Sequence, residues 1–165
     1  MEHELHFRKP TKSDLKEIYT LVCKSQVLDV NSEYLYLLQT THFKNSCCVA
    51  VENSKVVGFV SGYIIPDKPN TLFIWQVVVH EKQRGKNLAC QIIENILQAK
   101  EMVAVEYINT TVSPSNKSSQ RVFQKIAEKF NTNMKASILF EKEDFVHGHE
   151  EEVLFEIGPI NKGIK

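Results

Sequence analysis

A short basic segment with one glycine follows an apolar, strand-like run in the middle of the sequence. The run ends at Val79, and Arg84, Gly85, Lys86 and Asn87 follow within a few residues. Glycine lets a backbone approach a phosphate closely, and asparagine is the other residue type that best tolerates left-handed geometry. The amides of a first helical turn attract anions. The segment therefore predicts a main-chain pyrophosphate site, although taken alone it also fits an exposed loop with solvated lysines.

The hydrophobic periodicity of the whole chain places this segment between a strand and a helix. Apolar residues recur at helical spacing from Leu88 to Leu97, directly after the basic patch. In chain order the patterns predict an extended lead over 5–8, a helix opened by Pro10 and Thr11, a helix over 32–43, strands over 47–51, 55–63 and 71–79, a helix over 87–99, a strand over 107–112, a helix over 117–129, and strands over 135–140 and 152–158. Turns are predicted at 52–54 and 66–70.

These elements predict one α/β domain over residues 1–165. Early antiparallel strands followed by a strand–helix–strand crossover give a mixed, twisted sheet with helices on both faces. A content of 42% hydrophobic and 24% charged residues is typical of a globular domain with one core. We therefore expect the basic segment to lie where this sheet changes direction, which is where ligands bind in such folds.

Charge balance and residue usage exclude several functional classes. Twenty basic residues balance twenty acidic ones, so no global field favours nucleic acid or an anionic membrane. The N-terminus lacks an apolar secretory core and the apolar runs are too short to cross a bilayer, so we expect a soluble, cytoplasmic protein. The four cysteines lack the paired spacing of zinc or redox motifs, and the six histidines form no cluster. We expect reduced, mostly buried thiols and no metal.

Residues 71–93 resemble the cofactor motif of the GNAT superfamily of acetyl-CoA-dependent N-acetyltransferases. The family signature reads R/QxxGxG/A, and its three defined positions are occupied by Arg84, Asn87 and Ala89, so asparagine replaces the middle glycine. A second family segment, a strand followed by a loop asparagine and a helix, is matched by residues 108–126. The resemblance implies a twisted, mostly antiparallel sheet with a parallel strand pair at its split.

The resemblance also implies which residues contact acetyl-CoA. The implied contacts are the backbone of Val77, Val78 and Val79 with the pantetheine arm, and the amides of Arg84, Gly85, Lys86, Asn87, Leu88 and Ala89 with the pyrophosphate. Asn116 stands at the loop asparagine of the second segment. In many members the following helix carries a tyrosine that protonates the departing thiolate, and the residue there is Phe123. The proton donor of this chain is therefore not identified by the motif.

Several further segments narrow the resemblance within the superfamily. LDVNSEYLYLL, HFKNSCCVA, VGFVSGYIIP and HEEEVLFEIGP resemble members that acetylate the γ-amine of L-2,4-diaminobutyrate, a step in the biosynthesis of the compatible solute ectoine. This implies a small diamino acid substrate and a homodimer. Two alternatives stay open: a GNAT enzyme for another small amine, a protein lysine or an N-terminus, and a non-catalytic acetyl-CoA-binding module.

A diamino acid site needs carboxylates for the ammonium groups, a donor for the carboxylate and a shaped wall. The candidate substrate contacts are Asp29, Asn31, Trp75, Gln76, Glu150 and Glu152. The two glutamates are predicted to alternate along the last strand and to point to the same side. An indole packs against a short aliphatic amine, and its face attracts a cation. Four of the candidates have an ordinary alternative: Asp29 as a turn residue, Trp75 as a core residue, and the two glutamates as a solvated start of the last strand.

Attack on the thioester requires a deprotonated amine, whose reference pKa is about 10.4 if it is lysine-like. The cofactor strand 71–79 contains no acid that could accept this proton. The candidate bases, acting through water, are Asp29, Glu152 and His42. A main-chain amide near Val77 is expected to stabilise the tetrahedral oxyanion, by inference from the family.

Overall fold

The computed structural model describes residues 4–163, whose strands form a mixed seven-stranded sheet. The strands are β1 (Leu5–Arg8), β2 (Cys48–Glu52), β3 (Lys55–Ile65), β4 (Lys68–Val79), β5 (Tyr107–Val112), β6 (Asn133–Phe140) and β7 (Glu152–Gly158). Their order is β1-β2-β3-β4-β5-β7-β6. Strands β4 and β5 are parallel, from Thr71 opposite Tyr107 to Ile74 opposite Thr110, while β7 is antiparallel to both β5 and β6. The predicted mostly antiparallel sheet with one parallel pair is confirmed.

Four α-helices accompany the sheet. They are α1 (Leu15–Ser25), α2 (Glu33–Gln39), α3 (Leu88–Leu97) and α4 (Lys117–Lys129). The predicted bounds of α4 are confirmed, as are those of β1, β5 and β7. The turn predicted over 66–70 is shorter than expected, because β3 continues to Ile65 and β4 already begins at Lys68.

Helix α2 ends four residues earlier than the sequence predicts. Ser32 caps its start as expected, accepting a hydrogen bond from the Leu35 amide at 3.2 Å. Beyond Gln39, the Thr41 hydroxyl donates to the Leu37 carbonyl at 2.7 Å and competes for an acceptor that the helix would otherwise use. His42, which the predicted helix over 32–43 included, therefore lies in a turn after the helix.

The described residues form two compact units, and the first covers residues 4–63 and 75–103. One face of its sheet packs on α1 and α2 through a buried cluster of mostly apolar side chains. The members of this cluster are Ile18, Leu21, Val22, Tyr36, Cys47, Val49, Val51, Val56, Phe59 and Val78. The single-domain organisation expected over 1–165 stays a prediction.

The opposite face of the first unit's sheet packs on α3. Ala50 and Gly58 stand opposite each other in the register of β2 and β3, next to Val49 and Phe59, which point the other way. A Cβ added at Gly58 would lie 2.7 Å from Cδ1 of Ile92. Glycine therefore allows α3 to approach the sheet closely, and this unit has helices on both faces, as predicted.

An ion pair between a buried carboxylate and a partly exposed guanidinium fixes the start of α1. Asp14 is 5% exposed and accepts two hydrogen bonds from the Arg8 guanidinium, at 2.7 and 2.8 Å. The Thr11 amide donates to the same carboxylate at 2.7 Å. Burial alone would raise the pKa of Asp14, but the hydrogen bonds from Arg8 and Thr11 outweigh it and hold the pKa below its ordinary value. The pair ties β1 to the first turn of the helix.

The second unit covers residues 64–74 and 104–163. Its core includes Phe123 and Ile126 of α4 with Ile108 of β5 and Ile157 of β7, each at most 1% exposed. Strand β6 differs from the other strands, since seven of its eight residues are exposed. Across residues 4–163, we find no helix with the length and apolar content to span a membrane.

Candidate functional site

In the first unit, β4 runs into α3 through a loop with two left-handed residues. A 3-10 turn, Glu81–Gln83, follows the strand, and Gly85 and Asn87 then have φ angles of 76° and 62°. The left-handed Asn87 predicted from its residue type is thereby confirmed. The first intrahelical bond of α3 joins the Gln91 amide to the Asn87 carbonyl at 3.2 Å. The amides of Leu88 and Ala89 precede it and point out of the helix N-terminus.

Side chains on the same loop hold it against β2. Gln83 is buried and donates from Nε2 to the Glu52 carboxylate at 2.7 Å, while Lys86 donates to Gln83 Oε1 at 3.3 Å. Arg84, Gly85 and Asn87 are exposed. A Cβ added at Gly85 would meet nothing within 4 Å, so the glycine serves backbone conformation and open access. The loop offers a fixed set of main-chain donors beside exposed cationic side chains, which suits a pyrophosphate.

Trp75 of β4 is 45% exposed, so it is not a core tryptophan. Its ring meets Tyr63 edge to face, with centroids 6.2 Å apart and planes at 80°. Three residues further along β4, Val78 is buried, whereas Val77 and Val79 are half-buried. The indole therefore presents an open ring surface in the first unit, which suits contact with a small amine.

Asp29 and Asn31 lie in the irregular segment between α1 and α2, as the sequence predicts. Asp29 is exposed, and its carbonyl accepts a hydrogen bond from Gln76 Nε2 at 2.7 Å. The Asn31 amide donates to the Tyr36 hydroxyl at 3.3 Å, and that hydroxyl donates to Gln76 Oε1 at 3.0 Å. The structure thus brings together three predicted substrate residues of the first unit and adds Tyr36. Sequence reasoning missed Tyr36 because a buried tyrosine at helical spacing is typical of a core position.

Glu152 begins β7 in the second unit and is held by a serine. The Ser113 hydroxyl donates to its carboxylate at 2.8 Å, and His149 Nδ1 lies 3.8 Å from the same oxygen. Glu150 accepts a hydrogen bond from Ser115. Both serines lie in the loop after β5. The presence of several serines in this loop is the one signal in the sequence that polar side chains gather there.

The prediction that Glu150 and Glu152 both lie on the last strand is wrong for Glu150. Strand β7 begins at Glu152, opposite Phe140, where its partner β6 ends. No ladder continues beyond that point, and Glu150 stands two residues before the strand. Its exposed carboxylate is held by a serine of the second unit's β5–α4 loop instead.

The two residues implied by the second family segment differ in exposure, since Asn116 is half-buried and Phe123 is buried. Asn116 caps α4, accepting hydrogen bonds at Oδ1 from the Ser119 amide and the Ser118 hydroxyl, both at 3.2 Å. Phe123 is 1% exposed and packs in the core of the second unit. No group of three or more metal-ligating side chains capable of holding an ion exists within residues 4–163.

Similarity to known proteins agrees with this geometry. The profile of the Acetyltransferase (GNAT) family matches residues 14–127. The chain therefore belongs to this family of acetyl-CoA-dependent N-acetyltransferases. The Ard1 structure from Thermoplasma volcanium has the same fold, with a TM-score of 0.73 at 14% identity over 95% of this chain and 99% of that chain.

Particular members of the family are similar over nearly the whole chain. The L-2,4-diaminobutyric acid acetyltransferase of Virgibacillus pantothenticus is 44% identical over 154 residues, 93% of this chain and 97% of that protein. The enzyme of the same name from Halomonas elongata is 40% identical over 157 residues, 94% of this chain and 82% of that protein. Diaminobutyrate acetyltransferase EctA from Paenibacillus lautus, solved with L-2,4-diaminobutyric acid and coenzyme A, has a TM-score of 0.92 at 34% identity and covers 99% of both chains.

Proposed function

We propose that this protein transfers the acetyl group of acetyl-CoA to the γ-amine of L-2,4-diaminobutyrate, giving the acetylated precursor of ectoine. The observation that carries this proposal is the similarity to several enzymes named L-2,4-diaminobutyric acid acetyltransferase. Their identity to this chain is 40–44% over 92–96% of its length. The first unit supplies an exposed indole and a fixed Asp29–Asn31 segment, both suited to a small cationic ligand. Similarity and local geometry therefore support the same class of substrate.

Acetyl-CoA is proposed to bind mainly through main-chain groups. The backbone of residues 77–79 pairs with the pantetheine arm in the manner of an added strand, which needs no particular side chain. The amides of residues 84–89 bind the pyrophosphate at the positive end of α3. Because these contacts are main-chain contacts, asparagine at position 87 replaces glycine without loss of the required φ angle. Asn116 and Phe123 stay further proposed contacts.

The reaction is proposed to be a direct attack in a ternary complex. The γ-nitrogen forms a bond to the acetyl carbonyl carbon, and the carbon–sulfur bond breaks on collapse of the tetrahedral intermediate. The amide near Val77 is proposed to stabilise the oxyanion. The proton lost by the ammonium passes through water to Asp29, Glu152 or His42, and the departing thiolate takes a proton from solvent or from the amine. Among these candidate bases, the carboxylate of Glu152 is held in place by the Ser113 hydroxyl.

The test is a panel of amines with purified protein and acetyl-CoA. We expect free thiol to be released with L-2,4-diaminobutyrate and NMR to place the acetyl group on the γ-nitrogen. Lysine, putrescine and N-terminal peptides serve as competitors in the same panel. Preference for a peptide would replace the proposed substrate, and acetyl-CoA binding with no turnover on any amine would favour a binding module.

Single substitutions separate the proposed cofactor and substrate roles. Arg84→Ala should raise the Kd for acetyl-CoA and leave the amine KM unchanged, because its exposed side chain lies on the phosphate loop. Asp29→Ala should raise the amine KM and leave the cofactor Kd unchanged. Asp29→Asn, Glu152→Gln and His42→Gln, compared at several pH values, test the proton acceptor. An unchanged diaminobutyrate KM in Asp29→Ala would remove its assigned role.

A homodimer is proposed on the exposure of β6. This strand is terminal in the sheet order, pairs with β7 on one side, and exposes Ile138, Leu139 and Phe140 at 45–51%. A long, apolar edge strand is usually covered in a folded protein. A second copy of the chain is the proposed cover, because an antiparallel strand pairs with its own copy about a twofold axis.

Mass measurement in solution tests this assembly. Light scattering should give twice the 19.0 kDa chain mass. Ile138→Lys should shift the protein to a monomer, whereas Val103→Lys, at an exposed valine of the first unit, should not. A monomeric wild-type protein at micromolar concentration would refute the proposal.

A cytoplasmic location is also proposed, because all four cysteines are free thiols.

A further inference from the structure

Tyr36 and Gln76 close a ring of hydrogen bonds around the Asp29–Asn31 segment of the first unit. Gln76 Nε2 donates to the Asp29 carbonyl at 2.7 Å, and Gln76 Oε1 accepts from the Tyr36 hydroxyl at 3.0 Å. The same hydroxyl accepts from the Asn31 amide at 3.3 Å. One buried glutamine on β4 therefore holds both ends of a three-residue segment, directly at Asp29 and through Tyr36 at Asn31.

The chemistry of the partners fixes the orientation of every group in this ring. A carbonyl oxygen has no proton, so the end of the Gln76 amide that faces Asp29 must be the NH₂ group. The hydroxyl of Tyr36 accepts from a main-chain N–H, and its own proton is therefore directed at Gln76 Oε1. Each of the three bonds joins a donor to an acceptor in this arrangement, and no reversed arrangement satisfies all three bonds.

The ring is rigid because its two side chains are immobilised by burial. Tyr36 is fully buried, and its ring packs edge to face on Tyr19, with centroids 6.1 Å apart. Gln76 is 5% exposed, and its main-chain amide donates to the Ser61 hydroxyl at 3.2 Å. The Asp29–Asn31 segment has no helix or strand of its own. These two side chains therefore help to fix its main chain at Asp29 and at Asn31.

The segment also carries a donor that needs an acceptor. Nδ2 of Asn31 is buried and has no hydrogen-bond partner among the described residues. Leaving a buried donor unpaired costs about 1–3 kcal/mol, so a ligand oxygen at this point gains affinity. An amide NH₂ is a donor suited to a carboxylate.

We propose that Tyr36 and Gln76 are positioning residues that hold Asp29 and Asn31 for the amino acid substrate, with Asn31 Nδ2 as the donor to the substrate carboxylate. This proposal rests on the proposed diaminobutyrate acetylation and deepens it. Neither positioning residue touches the reacting atoms. Their removal should affect the binding of the amine and leave acetyl-CoA binding intact.

The test replaces Tyr36 by phenylalanine, which keeps the buried aromatic side chain and removes the hydroxyl. The amine KM should rise roughly tenfold, the equivalent of about 1.4 kcal/mol, with kcat and the acetyl-CoA Kd within twofold of wild type. Tyr19→Phe is the matched control, because the Tyr19 hydroxyl has no hydrogen bond to any residue of 4–163. An unchanged KM in Tyr36→Phe, or an equal change in Tyr19→Phe, would overturn the proposal.

Gln76→Glu adds a readout that general destabilisation would not move. A protonated carboxyl reproduces both bonds of the glutamine, whereas a carboxylate cannot donate to the Asp29 carbonyl. The ratio of the variant's amine KM to that of wild type should therefore fall as the pH falls. A ratio independent of pH between 5.5 and 8.5, the range of the assay, counts against the ring.

Hydrogen exchange makes the proposal independent of the substrate's identity. In Tyr36→Phe the Asn31 amide loses its acceptor and should exchange roughly tenfold faster, while Tyr19→Phe leaves its rate unchanged. If wild-type protein does not acetylate diaminobutyrate but Asn31 exchanges as expected, the proposed function fails and the positioning ring stands. Slow exchange at Asn31 in Tyr36→Phe would refute the ring itself.

Discussion

Asn87 offers a direct perturbation of the loop that joins β4 to α3. Its φ and ψ angles are 62° and 21°, which is the left-handed region. This conformation costs an ordinary L-residue about 1–2 kcal/mol, costs asparagine less, and costs glycine almost nothing. A β-branched residue is the least tolerant of it. The stability of variants at this one position should therefore follow how well each residue type tolerates the left-handed conformation, and should not follow its hydrophobicity.

The size of each step follows from the angles. Asn87→Gly should stay within about 0.5 kcal/mol of wild type, Asn87→Ala should lose about 1 kcal/mol, and Asn87→Val about 2 kcal/mol. For a chain of this size 1 kcal/mol corresponds to about 2–4 °C in Tm, so the valine variant should melt about 4–8 °C lower. Thermal and urea unfolding measure both values.

Acetyl-CoA affinity tests whether the same geometry serves the ligand. If valine turns the backbone at position 87, the following amides no longer face the proposed pyrophosphate site. Loss of one hydrogen bond to a charged group costs about 1.5–3 kcal/mol, so calorimetry should find Kd raised roughly 10- to 100-fold in Asn87→Val. Asn87→Gly should keep wild-type affinity.

A second left-handed asparagine provides the matched control. Asn53, in the turn between β2 and β3, has a φ of 50°. Asn53→Val should lower Tm by a similar amount and leave the acetyl-CoA Kd unchanged, because this turn is not part of the proposed cofactor loop. The reasoning is refuted if Asn87→Val melts and binds like wild type, or if Asn53→Val weakens binding as much as Asn87→Val does.

Three further predictions concern the first unit. Asp14→Ala should lower the free energy of unfolding by about 2 kcal/mol at pH 7. Because the pKa of Asp14 is depressed, this difference is complete above about pH 4 and is lost as the pH falls below the native pKa. Equal urea midpoints of the variant and wild type at pH 7 would contradict it. Gly58→Val should cost about 1–3 kcal/mol, since even a Cβ lies 2.7 Å from Ile92, and Gly58→Ala should cost less; a valine variant as stable as wild type would refute the close approach of α3. In the native protein a thiol reagent at pH 7.5 should label Cys23, which is exposed, and spare the other three cysteines, since burial raises the pKa of two of them to about 12; labelling of two or more thiols before unfolding would be inconsistent with this structure.

Regular elements with a strong local pattern were predictable from the sequence. The helix over 117–129 and the strands over 107–112 and 152–158 have the predicted bounds, because clear periodicity is bounded by turn residues on both sides. The left-handed backbone at Asn87 was also predictable, since few residue types accept that conformation. The proposed cofactor loop depends on such local rules, and its sequence is informative for this reason.

Features that depend on contacts distant in sequence were not predictable. Tyr36 and Gln76 are forty residues apart, and their hydrogen bond is made in the folded first unit. The early end of α2 depends on a threonine hydroxyl that competes for a helix carbonyl, which propensity does not register. The place of Glu150 before β7 depends on where the partner strand ends. Side-chain contacts in the candidate site therefore needed the structure, whereas the left-handed backbone at Asn87 did not.

The most direct test of the account is an amide NMR titration of the protein with coenzyme A. The largest chemical-shift changes should fall on the amides of residues 84–89 and 77–79, and Arg84→Ala should weaken the interaction without moving it. Inorganic pyrophosphate should perturb the first of these ranges alone. Saturable binding with the largest changes elsewhere in the chain, or no binding at millimolar coenzyme A, would contradict the central claim that this main-chain loop binds the cofactor.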